Sequence, residues 1–309
     1  MRPILFQLDL PLVGHVVFPS YLTMVMVGFV VAAVGARAAA RRAGLDGERV
    51  VDMAILCLAL GLLGARLLAV LTDGKLLDFV HLCTDPTRVS GEDARVSLCA
   101  TDQQCGFDYL CNLAARDDVV AGARRSMCYP PRDCLAAVKF WQGGLTLYGA
   151  LLLAVPGAIL YCRRKRLDFL RVADLCAPWL LVGQAIGRIG CFLEGCCYGA
   201  VTRGPLGVTL PGHATPVHPT QLYEAAADIA LAALLGLAVR PRGRGGTFGW
   251  MLIGYGAVRF ALELLRDDPR GGLGPLSTSQ LIAIPAVGAG AWLVARARRG
   301  GQGGAQPVQ

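Results

Sequence analysis

Residues 50–71 read VVDMAILCLALGLLGARLLAVL, and only Asp52 and Arg66 carry charge in this run. About 20 helical residues cross the hydrocarbon core of a bilayer, so the run predicts a transmembrane helix. Backbone polar groups find no water in lipid, which is why a spanning segment of this kind is predicted to be helical. Similar runs lie at 20–36, 143–162, 174–193, 221–239, 246–265 and 279–295. The sequence thus predicts seven transmembrane helices.

The composition of the chain agrees with a membrane location. Of its 309 residues, 54% are hydrophobic and 17% are charged, whereas soluble proteins have about 25% charged residues. The net charge of +8 comes mostly from short basic clusters between the apolar runs. Nucleic-acid binding needs a clustered basic and aromatic face, which the chain lacks. We therefore predict an all-α integral membrane protein with no nucleic-acid partner.

The basic clusters also predict the orientation of the helices. They follow the first, third, fifth and seventh predicted helices, at 37–49, 163–171, 240–244 and 296–299. Because Lys and Arg accumulate in cytoplasmic loops, the N-terminus is predicted to be periplasmic and the C-terminus cytoplasmic. Residues 1–17 have one Arg and no convincing cleavage motif, so we expect mature sequence there. The Gly- and Gln-rich residues 300–309 are predicted to be disordered.

The segment at 73–140, between the second and third predicted helices, is polar and rich in cysteine. It contains Cys83, Cys99, Cys105, Cys111, Cys128 and Cys134. An even number of cysteines in a short extracytoplasmic segment favours a disulfide framework, whose pairing stays open. A zinc site is the alternative, but the close Cys-x-x-Cys pair typical of such sites is missing. The predicted layout is two helices in 1–72, a disulfide-rich insert, five helices in 141–299 and the tail.

Several predicted helices contain charged residues, which are costly in lipid and therefore candidates for function. Arg66 lies in the second helix and Asp228 in the fifth, where Asp228 could instead be a packing residue. Arg188 lies between Gly187 and Gly190 near the outer end of the fourth helix. Its planar guanidinium suits a lipid phosphate, and the glycines allow close approach.

The sixth predicted helix contains Arg259 and Glu263 at spacing i, i+4, so the two can form an ion pair. That pair could be functional or only structural. Arg266 at the end of the same helix could simply reach the membrane interface.

Two polar segments lie near the predicted outer surface. Residues 191–199 read CFLEGCCYG, and 218–224 read HPTQLYE at the start of the fifth predicted helix. The second segment has five polar groups, more than a helix start requires. The first could be a turn with a disulfide or with thiols. A redox role for Cys196 and Cys197 is disfavoured, because adjacent cysteines bridge only with strain and the usual Cys-x-x-Cys motif is missing.

Taken together, these segments resemble the bacterial prolipoprotein diacylglyceryl transferase family. The matching pieces are 141–149 (WQGGLTLYG), 187–190 (GRIG), 218–224 (HPTQLYE) and 254–260 (GYGAVRF), followed by Glu263 and Arg266. Tyr21 and Arg66 also stand where the family has a tyrosine and an arginine. The resemblance covers nearly the whole chain except the cysteine-rich insert.

The resemblance implies a reaction at the periplasmic half of the inner membrane. The family moves the diacylglyceryl group of phosphatidylglycerol onto the lipobox cysteine thiol of a preprolipoprotein and releases glycerol phosphate. It implies membrane lipid and preprolipoprotein signal peptides as partners, and neither a metal nor an organic cofactor. The implied catalytic residues are Tyr148, Arg259, Glu263 and His218. The implied substrate-binding residues are Arg188, Tyr21, Arg66, Glu194, Gln221, Glu224 and Arg266.

The chain departs from the family where the thiol must be activated. The family typically has His-Gly-Gly at the position of Tyr148-Gly149-Ala150, and that histidine is usually assigned the role of base. Two asparagines and a glutamate of the family are replaced by Cys191, Glu194 and Cys196. We therefore expect a retained phosphate site and a rebuilt acid–base set, with His218 or Glu194 as alternative bases.

Two alternatives remain. One is a family offshoot that acts on another lipid or thiol or has lost catalysis. The other is a transporter, which the lack of an internal repeat disfavours.

Overall fold

The computed structural model describes residues 4–10, 14–72, 76–85, 98–99, 110–112, 126–129, 132–135, 146–210, 214–237, 244–266, 272–273 and 276–302. The chain forms two compact units. The main unit comprises Met1–Ala54 and Cys162–Gln309, and the small unit comprises Ile55–Tyr161. Each is described separately below.

The described helices and strands are as follows. The helices are α1 (Ser20–Arg42), α2 (Gly47–Thr72), α3 (Leu76–Thr84), α4 (Leu147–Arg164), α5 (Phe169–Glu194), α6 (Thr220–Leu237), α7 (Gly246–Glu263) and α8 (Thr278–Gln302). The strands are β1 (Ile4–Leu10), β2 (Gly14–Pro19), β3 (Leu98–Cys99), β4 (Leu110–Asn112), β5 (Ser126–Tyr129), β6 (Gly272–Leu273) and β7 (Leu276–Ser277). They form an antiparallel β1–β2 pair, a β3–β5–β4 sheet and a β6–β7 pair.

Each of the seven predicted spans coincides with a helix: α1, α2 and α4 to α8. Four of them, α1, α2, α5 and α8, are long and apolar enough to cross a membrane by length and composition. The short helix α3 and the β1–β2 pair were not predicted, since neither has a long apolar run. Helix α8 continues past the predicted span, to Gln302. The positive charge of Arg299, in the last turn of α8, interacts favourably with the negative end of the helix dipole.

Glycines allow the helices of the main unit to approach closely. A Cβ atom built on Gly28 of α1 would lie 2.5 Å from the carbonyl oxygen of Gly183 on α5. One built on Gly290 of α8 would lie 2.6 Å from the carbonyl oxygen of Gly249 on α7. A larger residue at either position would push the helices apart. Such packing through small residues is typical of transmembrane bundles.

The outer faces of the helices are apolar. On α1, Val30 and Val34 are exposed, and on α2, Leu63, Leu67 and Leu71 are exposed along one face. A helix on the surface of a soluble protein presents polar residues outward. Continuous apolar faces of this kind indicate contact with lipid, and the chain is accordingly a multi-pass membrane protein.

In the small unit, α2 and α4 meet at Gly64 and Gly149. A Cβ atom on Gly64 would lie 2.2 Å from the carbonyl oxygen of Gly149. The Thr146 hydroxyl, just before α4, donates a hydrogen bond of 3.1 Å to the carbonyl oxygen of Ala65. The start of α4 is therefore fixed on α2.

One disulfide bond is present among the described cysteines of the insert. Cys83 at the end of α3 is bonded to Cys134. Nε of Arg132 donates to the carbonyl oxygen of Cys83 at 2.7 Å. The strand register places Cys111 of β4 opposite Cys128 of β5. Cys105 lies outside the described residues.

Candidate functional site

Three helices of the main unit carry polar residues along one face. Residues three or four apart lie on the same side of a helix, so each set below forms a stripe. The stripes are Gln184, Arg188 and Cys191 on α5, Gln221, Glu224 and Asp228 on α6, and Tyr255, Arg259 and Glu263 on α7. Side chains of the three stripes contact one another in the interior.

The centre of this polar cluster is an ion pair between Arg188 and Glu224. Nη2 of Arg188 lies 2.8 Å from Oε1 of Glu224, whose side chain is only 2% exposed. The same oxygen accepts hydrogen bonds from Nε2 of Gln184 at 3.3 Å and from the Tyr255 hydroxyl at 3.2 Å. These bonds compensate the burial of the carboxylate. The ion pair positions the Arg188 guanidinium, while 21% of the Arg188 side chain stays exposed.

One turn beyond Glu224, Asp228 marks the inner limit of the polar cluster. Its side chain is fully buried, and neither carboxyl oxygen has a hydrogen-bond partner among the residues that the structure describes. Leu181, Ala232 and Leu235 form an apolar core on this side. The cluster is therefore closed by apolar packing at one end.

A second arginine lies on α7. Nη2 of Arg259 is 2.8 Å from Oε2 of Glu263, which confirms that the two residues pair. The same nitrogen donates a hydrogen bond of 2.8 Å to Oγ of Ser279 on α8. Nη1 is buried and has no partner within the described part of the chain. A fixed, buried guanidinium with an unused N–H edge is suited to bind an oxyanion.

The last turn of α5 leads into a segment that we call the cysteine turn, which consists of Cys191, Cys196 and Cys197 with the backbone between them. Gly195 ends the helix in a left-handed conformation, with φ of 83°. Cys197 also has a positive φ, of 65°, which is uncommon for a residue other than glycine. The three sulfur atoms lie within 4.8 Å of one another.

The start of α6 holds the cysteine turn in place. Nε2 of Gln221 donates a hydrogen bond to the carbonyl oxygen of Cys196. The Thr220 hydroxyl donates one of 2.9 Å to the carbonyl oxygen of Cys197. The backbone N–H of Gly199 donates to the carbonyl oxygen of His218 at 2.8 Å. Several polar residues of 218–224 therefore have structural partners.

The thiols of the cysteine turn influence one another. Hydrogen bonds with Cys191 and Cys197, together with burial, raise the pKa of the Cys196 thiol above its ordinary value. A thiol is a much weaker nucleophile than a thiolate. The Cys196 thiol is thus a weak nucleophile in this setting.

Other predicted site residues of the main unit lie around this cluster. The ring nitrogen Nδ1 of the partly buried His218 is 3.4 Å from the Tyr223 hydroxyl. Tyr21 at the start of α1 is 43% exposed, and its Cα lies 3.3 Å from the position that a Cβ on Gly190 would take. Glu194 is exposed at the end of α5. Arg266 follows α7 and is partly buried.

The two remaining predicted site residues lie in the small unit. The guanidinium of Arg66 lies over the ring of Phe79, 5.2 Å from its centroid, in a cation–π contact. Tyr148, in the first turn of α4, is 36% exposed. Positions 141–145 of its motif lie outside the described residues.

Sequence reasoning missed three contributors to the cluster. Gln184 and Tyr255 both donate to Glu224, and Ser279 accepts from Arg259. Gln184 lies one turn before Arg188, and Tyr255 lies one turn before Arg259. The helical spacing from each arginine was the available signal.

Comparison with known proteins identifies relatives. A sequence model of the prolipoprotein diacylglyceryl transferase family matches residues 108–296. A phosphatidylglycerol–prolipoprotein diacylglyceryl transferase of Clostridium tetani is 28% identical over 291 residues, which cover 92% of this chain and 93% of the relative. The protein of the same name from Cupriavidus necator is 39% identical over 206 residues, 62% of this chain and 75% of the relative. One from Nitratidesulfovibrio vulgaris is 37% identical over 184 residues, 57% of this chain and 69% of the relative.

Proposed function

The chain belongs to the prolipoprotein diacylglyceryl transferase family, and we propose that it transfers the diacylglyceryl group of phosphatidylglycerol to the lipobox cysteine thiol of preprolipoproteins. The observation that carries this proposal is the Arg188–Glu224 pair, in which 21% of the Arg188 side chain stays exposed. The guanidinium has the charge and planar shape to bind the phosphate of the lipid.

The proposed reaction makes one bond and breaks one. The cysteine sulfur attacks the glyceryl carbon, and the bond from that carbon to a phosphate oxygen breaks with its electron pair going to the oxygen. The products are a thioether and glycerol phosphate. Negative charge grows on the phosphate during this step, so fixed cations stabilise the transition state more than the bound lipid.

Arg259 provides the second cation in this proposal. Glu263 and Ser279 orient it, and its unused Nη1 donor is available to a phosphate oxygen. Because that donor is already desolvated, binding an oxyanion restores a hydrogen bond that burial has removed.

The thiol proton needs an acceptor, and we assign it to His218. Imidazole is the side chain that ordinarily changes charge near neutral pH, whereas a phenol such as Tyr148 has an ordinary pKa of about 10. Tyr148 is proposed as a further catalytic residue because of its place in the 141–149 motif. The remaining substrate-binding residues are proposed to contact the lipid headgroup or the signal peptide. They are Tyr21, Arg66, Glu194, Gln221, Glu224 and Arg266.

The proposed topology has seven spans in the bacterial inner membrane, with the layout 1–72, 73–140, 141–299 and 300–309 given above. The basic clusters support a periplasmic N-terminus and a cytoplasmic C-terminus. The Cys83–Cys134 disulfide supports a periplasmic insert, because disulfides persist in oxidising compartments. A reporter that is active only in the periplasm, fused after residue 299, is expected to stay inactive. Activity of that fusion would contradict the orientation.

The function is tested with purified full-length protein in phosphatidylglycerol nanodiscs and a lipobox peptide. Mass spectrometry is expected to detect the diacylglyceryl thioether of the peptide. A peptide with serine in place of cysteine, and nanodiscs of phosphatidylethanolamine, are the matched controls and should give no product. Product from the second lipid would indicate an offshoot with another lipid substrate. Absence of product from folded, lipid-binding protein would indicate a member without catalysis.

A further inference from the structure

The reaction proposed above makes no use of the cysteine turn. Among the described residues, its three sulfurs are the only group of three or more histidine, cysteine or acidic ligand atoms close enough to share a metal ion. The backbone at the turn is unusual as well, since Cys197 has a positive φ that residues other than glycine rarely adopt.

The distances fit a thiolate-bound ion. A zinc–sulfur bond is about 2.3 Å, which places the sulfurs of a tetrahedral site about 3.8 Å apart. The three sulfurs lie within 4.8 Å of one another, so small side-chain rotations bring them to that spacing. The carbonyl oxygens of Cys196 and Cys197 are held by α6, which keeps the ligands preorganised.

The surroundings also suit a cation with three thiolates. Three thiolates around a divalent ion leave one net negative charge, and the neighbouring guanidinium of Arg188 interacts electrostatically with Cys191 and Cys197. Cys191 is buried, whereas Cys196 and Cys197 are partly exposed, so the site is open on one side. Zinc sites with three protein ligands and an open position are the catalytic type.

We propose that Cys191, Cys196 and Cys197 bind a Zn²⁺ ion, and that its fourth position takes the lipobox cysteine thiol of the substrate. The second half of this inference rests on the proposed function. The resemblance implies a metal-free reaction, and this chain departs from it at the positions where cysteines replace the asparagine and glutamate of the family.

The metal activates the substrate thiol, which is the role that the resemblance assigns to the histidine missing from this chain. A thiol bound to zinc is deprotonated at neutral pH, and its proton passes to His218. The sulfur then attacks the glyceryl carbon, the carbon–oxygen bond breaks toward the phosphate, and the thioether leaves the metal. Zinc changes no oxidation state. Because Arg188 lies one turn before Cys191 on α5, the bound thiolate and the bound phosphate are neighbours.

The first test counts metal. Full-length protein in nanodiscs is reduced, incubated with Zn²⁺ and desalted, and zinc is measured by mass spectrometry. About one ion per chain is expected. Cys196→Ser and Cys197→Ser, at partly exposed positions, should each retain about tenfold less zinc. Cys57→Ser is the matched control, because Cys57 is a half-buried thiol on α2 outside the cysteine turn, and it should retain the ion.

The second test examines the fourth ligand without relying on turnover. Co²⁺ replaces zinc, and the thiolate-to-cobalt absorption in the near ultraviolet is followed while lipobox peptide is added. The absorption should rise by about a third as the thiolates increase from three to four. The peptide with serine in place of cysteine should leave the spectrum unchanged.

The third test links the site to the reaction. Removing zinc with a chelator should lower the transfer rate at least about tenfold, and adding Zn²⁺ should restore it. Three results would overturn the inference: no zinc retained by reduced wild-type protein, equal retention by Cys196→Ser, or a full transfer rate from metal-free protein. The last of these leaves the proposed function intact. Binding of zinc and of the peptide thiol without transfer supports the metal site and contradicts the proposed function.

Discussion

The arginine side of the polar cluster and the cysteine turn are neighbours on α5 and are built differently. On the arginine side, charged groups are paired across helices, with Arg188 bound to Glu224 and Arg259 bound to Glu263. On the cysteine turn, three cysteine sulfurs converge, and hydrogen bonds from α6 hold the backbone around them. The arginine side matches the family motifs, whereas the cysteine turn replaces them.

The reaction requires stabilisation of the phosphate and activation of the thiol. This difference indicates which of the two can be carried out by other residues. Stabilising a phosphate needs fixed positive charge at one place, and few side chains other than arginine provide it in a bidentate form. A thiol can be activated by a base or by a metal, so that half has more than one solution. We therefore expect substitutions on the arginine side to have the larger effects.

Arg188→Ala should have the largest effect on activity. It removes the cation placed to stabilise the leaving phosphate, and losing one such donor costs about 100- to 1,000-fold in rate. Arg188→Lys keeps the charge but loses the planar fork, so an intermediate rate is expected. The rate is measured by mass spectrometry of the lipidated peptide, and thermal unfolding checks the fold. Wild-type activity in a folded Arg188→Ala protein would refute the phosphate assignment.

Glu224→Ala should mainly lower stability. It leaves Arg188 and the Tyr255 hydroxyl without their shared acceptor, and removing one member of a buried pair costs about 3 kcal/mol. Glu224→Gln keeps an acceptor oxygen and should cost less. Thermal unfolding in detergent compares the two. Equal unfolding temperatures for both variants and the wild type would show that the pair contributes nothing to stability.

The sequence predicted the helices well because the signal is local. A run of about 20 apolar residues is sufficient to identify a span, whichever residues later pack against it. The β1–β2 pair and α3 were missed because each depends on pairing or packing that leaves no long apolar run. The predicted end of α8 was early by a few residues, since helix ends depend on caps and local charge.

Individual residues of the polar cluster were named from the sequence, but their contacts were not. Arg188 and Glu224 were each identified, but their pairing depends on how α5 packs against α6. Gln184 was missed because an uncharged residue in an apolar helix gives little signal. The convergence of the three thiols depends on the backbone conformation at Cys197, which spacing alone does not determine.

Ser279→Ala should have a moderate effect on the second arginine. It removes the hydrogen bond from Arg259 but leaves the ion pair with Glu263. Loss of one such bond costs about 1 kcal/mol, so a fall in kcat of about fivefold is expected. The measurement is the dependence of the transfer rate on the fraction of phosphatidylglycerol. A change confined to KM would place Arg259 in lipid binding rather than in the chemical step.

Asp228→Asn should have the smallest effect. It tests whether a second buried carboxyl on this face of α6 takes part in the reaction. Asp228 and Glu224 are both buried carboxyls on one face of α6, but Asp228 has no hydrogen-bond partner among the described residues. Burying an unpaired carboxylate is costly, so the neutral amide should unfold at an equal or higher temperature. The transfer rate should stay within about twofold, because the change touches neither arginine directly. A large loss of rate would mean that the reaction needs a carboxyl at this depth, and the arginine side would then extend one turn further along α6.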